Sequence, residues 1–313
     1  MLTDTSIELR SAKPSLAMRA VTWLMNKRRP VFPHAPADFE AMMATRTKPT
    51  DAKMPGSFER RFDVEKRSVD GCEVVTLHPK TGPGAWHMLY FHGGGFVLPM
   101  FKEHWPLAQA LVERVGVSVT VPMYDVVPEA SASDQDALAD AVFADLAQAH
   151  DPARIVLCGD SAGGHMALSL AVRLAASGGP QAGRLALFAP WLDVTLADPA
   201  IAAVEPHDIM LKIGTLRSCG RMFAGSRDPA SPECSPLYLP ADALKTLPPT
   251  RIWTGRHDLF IVDSRSFTGR LREAGVDAKL YEYEACPHVF MAITRTREAK
   301  DVFRLLKQFL KRG

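Results

Sequence analysis

A serine lies between a predicted buried strand and a predicted helix in the middle of this chain. The apolar residues 155–158 directly precede the pentapeptide Gly159-Asp160-Ser161-Ala162-Gly163, and a helical pattern follows to residue 176. Small residues on both sides let the backbone turn sharply and present the Ser161 hydroxyl at the end of the strand. An ordinary glycine-rich connection with an incidental serine is the alternative. The strand–turn–helix context favours a nucleophile, which would need a neighbouring base to take its proton.

From residue 56 onwards, predicted strands and helices alternate. A hairpin is predicted over 62–69 and 72–77, because Asp70-Gly71 favours the turn that hairpins need. Further strands are predicted over 86–91, 117–121, 155–158, 185–188, 251–253 and 278–283. Helices are predicted over 105–115, 137–147, 162–176, 264–274 and 297–310. This alternation indicates an α/β fold with a mostly parallel sheet and helices on both faces. Ligands of such sheets bind at the carboxyl ends of the strands, where Ser161 lies.

Two segments depart from this alternation. Residues 1–55 have a helical pattern interrupted by prolines, and we predict a helical cap over the cleft of a catalytic domain spanning 56–313. Residues 193–237 are long for a simple connection and predict an insertion that adds to the cap. A basic amphipathic helix can instead bind a membrane surface. In this chain such a helix would have an apolar face and a basic part. The apolar face would consist of Leu16, Val21, Trp23, Leu24 and Met25, and the basic part of Arg19, Lys27, Arg28 and Arg29.

Composition excludes several classes of protein. The 313 residues are 47% hydrophobic and 23% charged, with a formal net charge of +2. This charge gives no reason to expect nucleic acid as a partner. Five scattered cysteines without C-x-x-C spacing argue against a disulfide framework or a zinc site. We therefore expect no metal and a cytoplasmic location. Residues 1–10 lack the basic region followed by an apolar region that is typical of a secretory signal. No apolar stretch of the chain is long enough for stable membrane insertion.

A second glycine-rich segment follows the predicted strand 86–91. Its sequence is Phe91-His92-Gly93-Gly94-Gly95-Phe96. Backbone N–H groups held in such a loop stabilise the negative charge that develops on a carbonyl oxygen under attack. We predict Gly93, Gly94 and Ala162 as the donors and a structural, loop-bracing role for His92. A phosphate-binding loop is the alternative, but neither Lys-Ser/Thr nor G-x-G-x-x-G spacing is present.

The base and the orienting acid are predicted late in the chain. His288 follows the strand 278–283 and is our candidate base. His257 is the rival, but it is adjacent to Asp258, and neighbouring side chains of an extended loop point apart. Asp258 follows the strand 251–253 and is the candidate acid that holds the histidine tautomer. Asp263 is the alternative acid, although its place before a helix is more typical of capping.

Together these motifs resemble the bacterial hormone-sensitive-lipase-like esterases of the α/β-hydrolase superfamily. The resemblance covers residue 86 to the C-terminus and includes the chain order Ser161–Asp258–His288. It implies an eight-stranded, mostly parallel sheet, an N-terminal helical cap, no cofactor, and homodimers formed through an edge strand. It also implies a serine carboxylesterase that acts on short acyl chains through an acyl-enzyme. One departure is Asp125, which stands where the family usually has an arginine and puts the local salt bridging in doubt.

The bond that is cleaved depends on the pocket rather than on the triad. A formamidase or a small-metabolite deacetylase is therefore an alternative, and a small-molecule receptor is a second one. The receptors in this family lack the histidine, so His288 favours an enzyme. The substrate-binding residues are predicted from apolar positions near the site, each of which core packing would explain equally well. They are Phe96, Leu98, Trp191, Met210, Leu211 and Val289.

Overall fold

A nine-stranded sheet forms the centre of the computed structural model, which describes residues 6–11, 13–27, 32–82 and 84–311. The strand order across the sheet is β1-β9-β8-β7-β6-β4-β5-β3-β2. The strands are β1 (Ile7–Ser11), β2 (Phe62–Val69), β3 (Cys72–Pro79), β4 (His87–Phe91), β5 (Ser118–Pro122), β6 (Ile155–Asp160), β7 (Arg184–Phe188), β8 (Thr250–Gly255) and β9 (Ala278–Tyr283).

Helices cover both faces of the sheet and form the connections between its strands. They are α1 (Leu16–Asn26), α2 (Pro36–Thr45), α3 (Phe58–Arg61), α4 (His104–Ala110), α5 (Ala132–Ala149), α6 (Ala162–Ser177), α7 (Ile201–Val204), α8 (Ile213–Ala224), α9 (Ala241–Leu244), α10 (Ile261–Glu273) and α11 (Arg297–Lys311). A π-helical turn, Leu111–Val115, continues α4. None of the helices in the described ranges is long and apolar enough to cross a lipid bilayer.

The predicted α/β architecture is confirmed. The strands β1 and β4 to β9 run parallel, and the β2–β3 hairpin joins β5 in antiparallel fashion. Every residue of β6 is buried, because its side chains alternate between two apolar cores. Leu157 packs into one core, and Val156 and Cys158 pack into the other. The central strands are therefore continuous apolar runs, which is why the sequence reveals them.

The prediction of eight strands and of a wholly helical N-terminal segment was wrong. Residues Ile7–Ser11 form the edge strand β1, which pairs in parallel with β9. The charged side chains of this strand have partners in the body of the protein: Arg10 donates to Asp301 of α11 at 3.0 Å, and Glu8 pairs with Lys279 of β9. These contacts favour a strand where the sequence pattern alone suggests a helix.

The N-terminal helices contact different parts of the catalytic domain. Ser15 caps α1 and also donates to Glu298 of α11 at 2.8 Å through its hydroxyl. α2 lies against α8 of the predicted insertion, and Thr215 of α8 donates to the Pro33 carbonyl at 2.7 Å. α1 and α2 are therefore held separately, α1 on the C-terminal helix and α2 on the insertion.

The segment with the unusual Asp125 has ion pairs with the N-terminal segment. Lys48 donates to Asp125 at 2.9 Å, and Arg46 pairs with Glu129. The same Arg46 guanidinium donates to the Val127 carbonyl at 2.8 Å. Cations from residues 46–48 thus neutralise this loop, although the usual arginine is missing from it.

Candidate active site

Ser161 lies at the turn between β6 and α6, as predicted. Its backbone angles are φ 55° and ψ −120°, a conformation that is costly for a residue with a side chain. Two hydrogen bonds hold the turn: the Ser161 N–H donates to the Phe188 carbonyl at 2.9 Å, and Trp191 donates to the Ser161 carbonyl at 3.0 Å. The strained turn presents the hydroxyl beyond the end of the strand.

The flanking glycines are required by close backbone contacts. A Cβ atom on Gly159 would lie 2.1 Å from the Gly163 carbonyl oxygen. A Cβ atom on Gly163 would lie 2.1 Å from the Phe91 carbonyl oxygen. Such distances are far below van der Waals contact, so any side chain at position 159 or 163 would collide with the backbone. Glycine is therefore required at both positions.

The loops after β8 and β9 bring Asp258 and His288 together. His288 Nδ1 lies 2.9 Å from Asp258 Oδ2, and the other carboxylate oxygen accepts from the Phe260 N–H at 3.0 Å. Asp258 is completely buried and His288 is 6% exposed. Burial lowers the pKa of His288, but the charge and hydrogen bond of Asp258 outweigh it and hold this pKa above its ordinary value. The pair has the arrangement of a base and its orienting acid.

Neither alternative residue takes part in this pair. His257 stacks on His207 with ring centroids 5.1 Å apart. Asp263 is 1% exposed, and neither of its carboxyl oxygens has a hydrogen-bond partner among the residues that the structure describes. It does not cap α10 either, contrary to the use we considered for it. Burial raises the pKa of Asp263 to about 8, so its carboxyl group is largely protonated at neutral pH.

The Ser161 hydroxyl makes no hydrogen bond to any described residue. Ser161 follows the C-terminal end of β6, and His288 follows the C-terminal end of β9. Both residues therefore lie at the edge of the sheet where the parallel strands end. Hydrogen bonds between a nucleophile and its base are often long until substrate binds.

One of the predicted oxyanion donors is already paired. The Gly93 N–H donates to Asp160 Oδ1 at 3.1 Å, which contradicts its assignment as a free donor. The N–H groups of Gly94, Gly95 and Ala162 have no hydrogen-bond partner within the described part of the chain. Gly94 and Gly95 adopt φ values of 136° and 63°, which only glycine adopts easily. The geometry therefore replaces Gly93 by Gly95 in the candidate set.

Asp160 and His92 hold the glycine loop in place. Asp160 also accepts a hydrogen bond from the Tyr90 hydroxyl. Burial alone would raise the pKa of Asp160. The interactions with His104 and Tyr90 outweigh burial and hold this pKa below its ordinary value. His92 Nδ1 lies 2.7 Å from the Gly93 carbonyl oxygen. Burial lowers the pKa of His92 to about 3, so the ring is neutral. This geometry supports a bracing role for His92.

Comparison with protein families assigns the fold. The model of the α/β hydrolase fold family matches residues 88–292, which include Ser161, Asp258 and His288. The chain belongs to the α/β hydrolase fold family. Two solved structures agree with this: an esterase/lipase from an uncultured bacterium has a TM-score of 0.80 at 22% identity, covering 95% of this chain and 98% of that chain. An esterase of the bacterial hormone-sensitive lipase family has a TM-score of 0.79 at 24% identity, covering 96% and 99%.

Curated relatives of this α/β hydrolase include esterases and lipases. An esterase of Acinetobacter venetianus is 31% identical over 198 residues, 62% of this chain and 64% of that protein. A triacylglycerol lipase of Mycobacterium tuberculosis is 30% identical over 197 residues, 62% of this chain and 39% of that protein. The matches thus span less than two thirds of these two relatives. An acetyl-hydrolase of Streptomyces hygroscopicus is 29% identical over 225 residues, 71% of this chain and 74% of that protein. The names of these relatives agree with the esterase class that the resemblance to hormone-sensitive-lipase-like esterases implies.

Asp208 is a site residue of this α/β hydrolase that the sequence did not reveal. One of its carboxylate oxygens accepts from the Met210 and Leu211 N–H groups at 2.8 and 2.9 Å. The other accepts from the Leu259 N–H at 3.0 Å, 51 residues further along the chain. Burial and the charge of Asp258 raise the pKa of Asp208 to about 6, against the opposing effect of His288. Asp208 therefore joins the insertion to the loop that carries Asp258.

The predicted pocket residues differ in accessibility. Leu98, Met210 and Val289 are half-buried, so a ligand can reach their side chains. The other three are buried in the apolar core: Phe96 stacks between Phe223 and Trp191, with centroid distances of 3.8 and 5.4 Å, and Leu211 is 3% exposed. Among the described residues, no group of three His, Cys, Asp or Glu side chains is arranged to hold a metal ion.

Proposed function

We propose that this α/β hydrolase is a serine carboxylesterase that cleaves short-chain acyl esters through an acyl-enzyme. The observation that carries the proposal is the buried His288–Asp258 hydrogen bond of 2.9 Å at the strand ends, on the side where the strained turn presents Ser161. A buried carboxylate bound to Nδ1 fixes the tautomer that leaves Nε2 free to act as base. The esterase and lipase names of the relatives support the same reaction class.

In the proposed mechanism, Ser161 Oγ attacks the ester carbonyl carbon while His288 Nε2 takes the hydroxyl proton. The carbonyl π electrons move to the oxygen, and the N–H groups of Gly94, Gly95 and Ala162 donate to the oxyanion. Collapse of this intermediate expels the alcohol, which receives the proton from His288. The acyl group is then bound to Ser161.

Water completes the cycle by the same route. His288 takes a proton from water, and the hydroxide oxygen attacks the acyl carbonyl. The second tetrahedral intermediate expels Ser161 Oγ, which regains a proton from His288, and the carboxylic acid leaves. Asp258 stabilises the imidazolium that forms in both halves of the cycle. No cofactor takes part in these steps.

We propose that Asp208 positions the acid loop and adds to the field around His288. The negative charges of Asp258, Asp208 and Asp160 all raise the pKa of His288. His288 must be neutral to act as a base, so a raised pKa places the acidic limb of kcat/KM at higher pH. Removing the charge of Asp208 lowers the pKa of His288, and the acidic limb moves to lower pH.

For Asp208→Asn we expect kcat to fall by about tenfold to 10²-fold, because the amide cannot accept from both sets of N–H groups and the acid loop shifts. The pH dependence of kcat/KM measures the second effect. Asp193→Asn is the matched control, since Asp193 is an equally buried carboxylate whose bonds to Thr195, Ala197, Ser235 and Tyr238 stay within residues 193–238. If the acidic limb of the kcat/KM profile moves equally in both variants, or in neither, the electrostatic role of Asp208 is refuted.

A series of p-nitrophenyl esters of increasing acyl length tests the substrate class. We expect kcat/KM to peak at short acids such as butyrate and to fall steeply beyond them, as the resemblance to short-chain esterases implies. The comparison should use initial rates below the solubility limit of each ester. A flat profile up to long acids would contradict a closed acyl pocket and indicate an open groove.

A second candidate function is the removal of acetyl groups from a small metabolite. The acetyl-hydrolase of Streptomyces hygroscopicus, which this chain matches over 74% of its length, favours it. Acetylated alcohols and acetylated amines assayed side by side distinguish the two reactions. The division into a cap of residues 1–55 with 193–237 and a catalytic domain over 56–313, the homodimer and the cytoplasmic location stay predictions.

A further inference from the structure

The outward face of α1 is apolar. Leu16, Trp23 and Leu24 are 80%, 61% and 46% exposed, while Met18 on the inward face is fully buried. Leu16, Ala20 and Trp23 share one side of the helix by their spacing, and all three are exposed. A surface helix of a globular protein normally turns its polar side to water. The exposed apolar side chains on the outward face of α1 indicate a binding surface.

This face borders a groove of about 640 Å³. Leu16 and Trp23 line one wall, and Ile209, His257 and Ala285 line the other. His257 directly precedes Asp258, and Ile209 directly follows Asp208. The apolar face of α1 is thus continuous with the loops that carry the candidate active site.

The charged residues of α1 and of the segments that flank it in the sequence are all basic. Between residues 14 and 31 the sequence contains Arg19, Lys27, Arg28 and Arg29 and no acidic residue. Arg19 is exposed, and the Lys27 amine lies 3.8 Å from the centroid of the Trp23 ring. Basic residues beside an apolar face complement a surface with anionic headgroups and an apolar interior. Tryptophan is enriched at such interfaces.

We propose that α1 docks this hydrolase onto a lipid surface that carries anionic headgroups. Leu16, Trp23 and Leu24 enter the boundary between headgroups and acyl chains, and Arg19 and Lys27 bind the headgroups. A second copy of the chain fits less well, because a twofold dimer through α1 would place like charges against each other. This binding goes beyond ester hydrolysis and requires no turnover.

Tryptophan fluorescence tests the docking directly. The protein has five tryptophans, and the four other than Trp23 are at most 7% exposed. With phosphatidylcholine vesicles that contain phosphatidylglycerol, we expect the Trp23 emission to shift to shorter wavelength and to become protected from acrylamide. Vesicles of phosphatidylcholine alone should cause a much smaller change. Emission that does not respond to the anionic vesicles would overturn the proposal.

Charge-reversal variants supply the matched comparison in vesicle co-sedimentation. For the double variant Arg19→Glu, Lys27→Glu we expect at least about tenfold weaker binding to the anionic vesicles. The control is Lys66→Glu, Lys80→Glu, which makes the same charge change with exposed lysines of β2 and the end of β3, at the opposite edge of the sheet. The control should bind like the wild type, and equal losses in both variants would overturn the proposal.

Removal of the apolar contacts separates the lipid from a second copy of the chain. For Leu16→Ser, Trp23→Ser we expect loss of vesicle binding and an unchanged sedimentation coefficient over a range of protein concentrations. Because neither readout depends on turnover, they stand even where ester hydrolysis fails. A concentration-dependent dimer that this variant abolishes, with vesicle binding retained, would overturn the proposal in favour of self-association.

Discussion

Replacing Ser161 by alanine is expected to lower kcat for p-nitrophenyl butyrate by about 10⁴-fold to 10⁶-fold. The reason is that the substitution removes the nucleophilic oxygen, so no acyl-enzyme can form. The oxyanion donors and the binding pocket stay intact. The fold should be unaffected, because the Ser161 hydroxyl makes no hydrogen bond to the described residues and its backbone bonds to Phe188 and Trp191 do not involve the side chain.

The controls for this variant are a circular dichroism spectrum and a thermal unfolding curve. Both should match those of the wild type. Turnover close to that of the wild type in a correctly folded Ser161→Ala protein would contradict the proposed nucleophile. A variant that loses both activity and fold would instead show that the strained turn does not accept alanine, and Ser161→Cys would then separate the two effects.

The second large effect is expected at the acid. Asp258→Asn should lower kcat by about 10⁴-fold, because an amide at this position stabilises the wrong His288 tautomer and leaves the imidazolium without its counter-charge. The 2.9 Å bond between Asp258 Oδ2 and His288 Nδ1 is the contact that the substitution changes. Loss of that charge also lowers the pKa of His288, so the remaining activity should have its acidic limb at lower pH.

Asp263→Asn is the matched control for the acid. Both residues are buried carboxylic acids that lie five positions apart, and only Asp258 contacts the histidine. Burial raises the pKa of Asp263 to about 8, so at pH 7 the substitution replaces one largely neutral group by another of the same size. We expect kcat close to that of the wild type. A larger loss from Asp263→Asn than from Asp258→Asn would reverse the assignment of the acid.

The sequence predicted those parts of the fold and the site that depend on local patterns. The buried strands are short apolar runs, and the turns around Ser161 and Gly94 follow directly from glycines at strand ends. Asp258 and His288 are predicted from the sequence because each follows a late strand, and the carboxyl ends of parallel strands lie along one edge of the sheet. The family match and the strand order of the sheet confirm the predicted α/β fold and the hydrolase family.

The remainder depends on contacts between distant parts of the chain. β1 pairs with β9, and its Arg10 donates to Asp301 of the last helix; residues 7–11 alone reveal neither contact. Three consecutive glycines look alike in the sequence, and only the position of the Asp160 carboxylate shows that the Gly93 N–H is occupied. Asp208 lies in a stretch without periodicity, and its bond to Leu259 spans 51 residues.

The most direct test of the central claim is labelling of the intact protein with a fluorophosphonate, followed by mass spectrometry of its peptides. Such probes react with a serine hydroxyl that is activated by a base, and ordinary serines do not react. We expect one phosphonyl group per chain, bound to the peptide that contains Ser161, and no labelling after unfolding. An unlabelled folded protein, or a label on a different serine, would contradict the proposed nucleophile, and the unlabelled result would favour a non-enzymatic receptor.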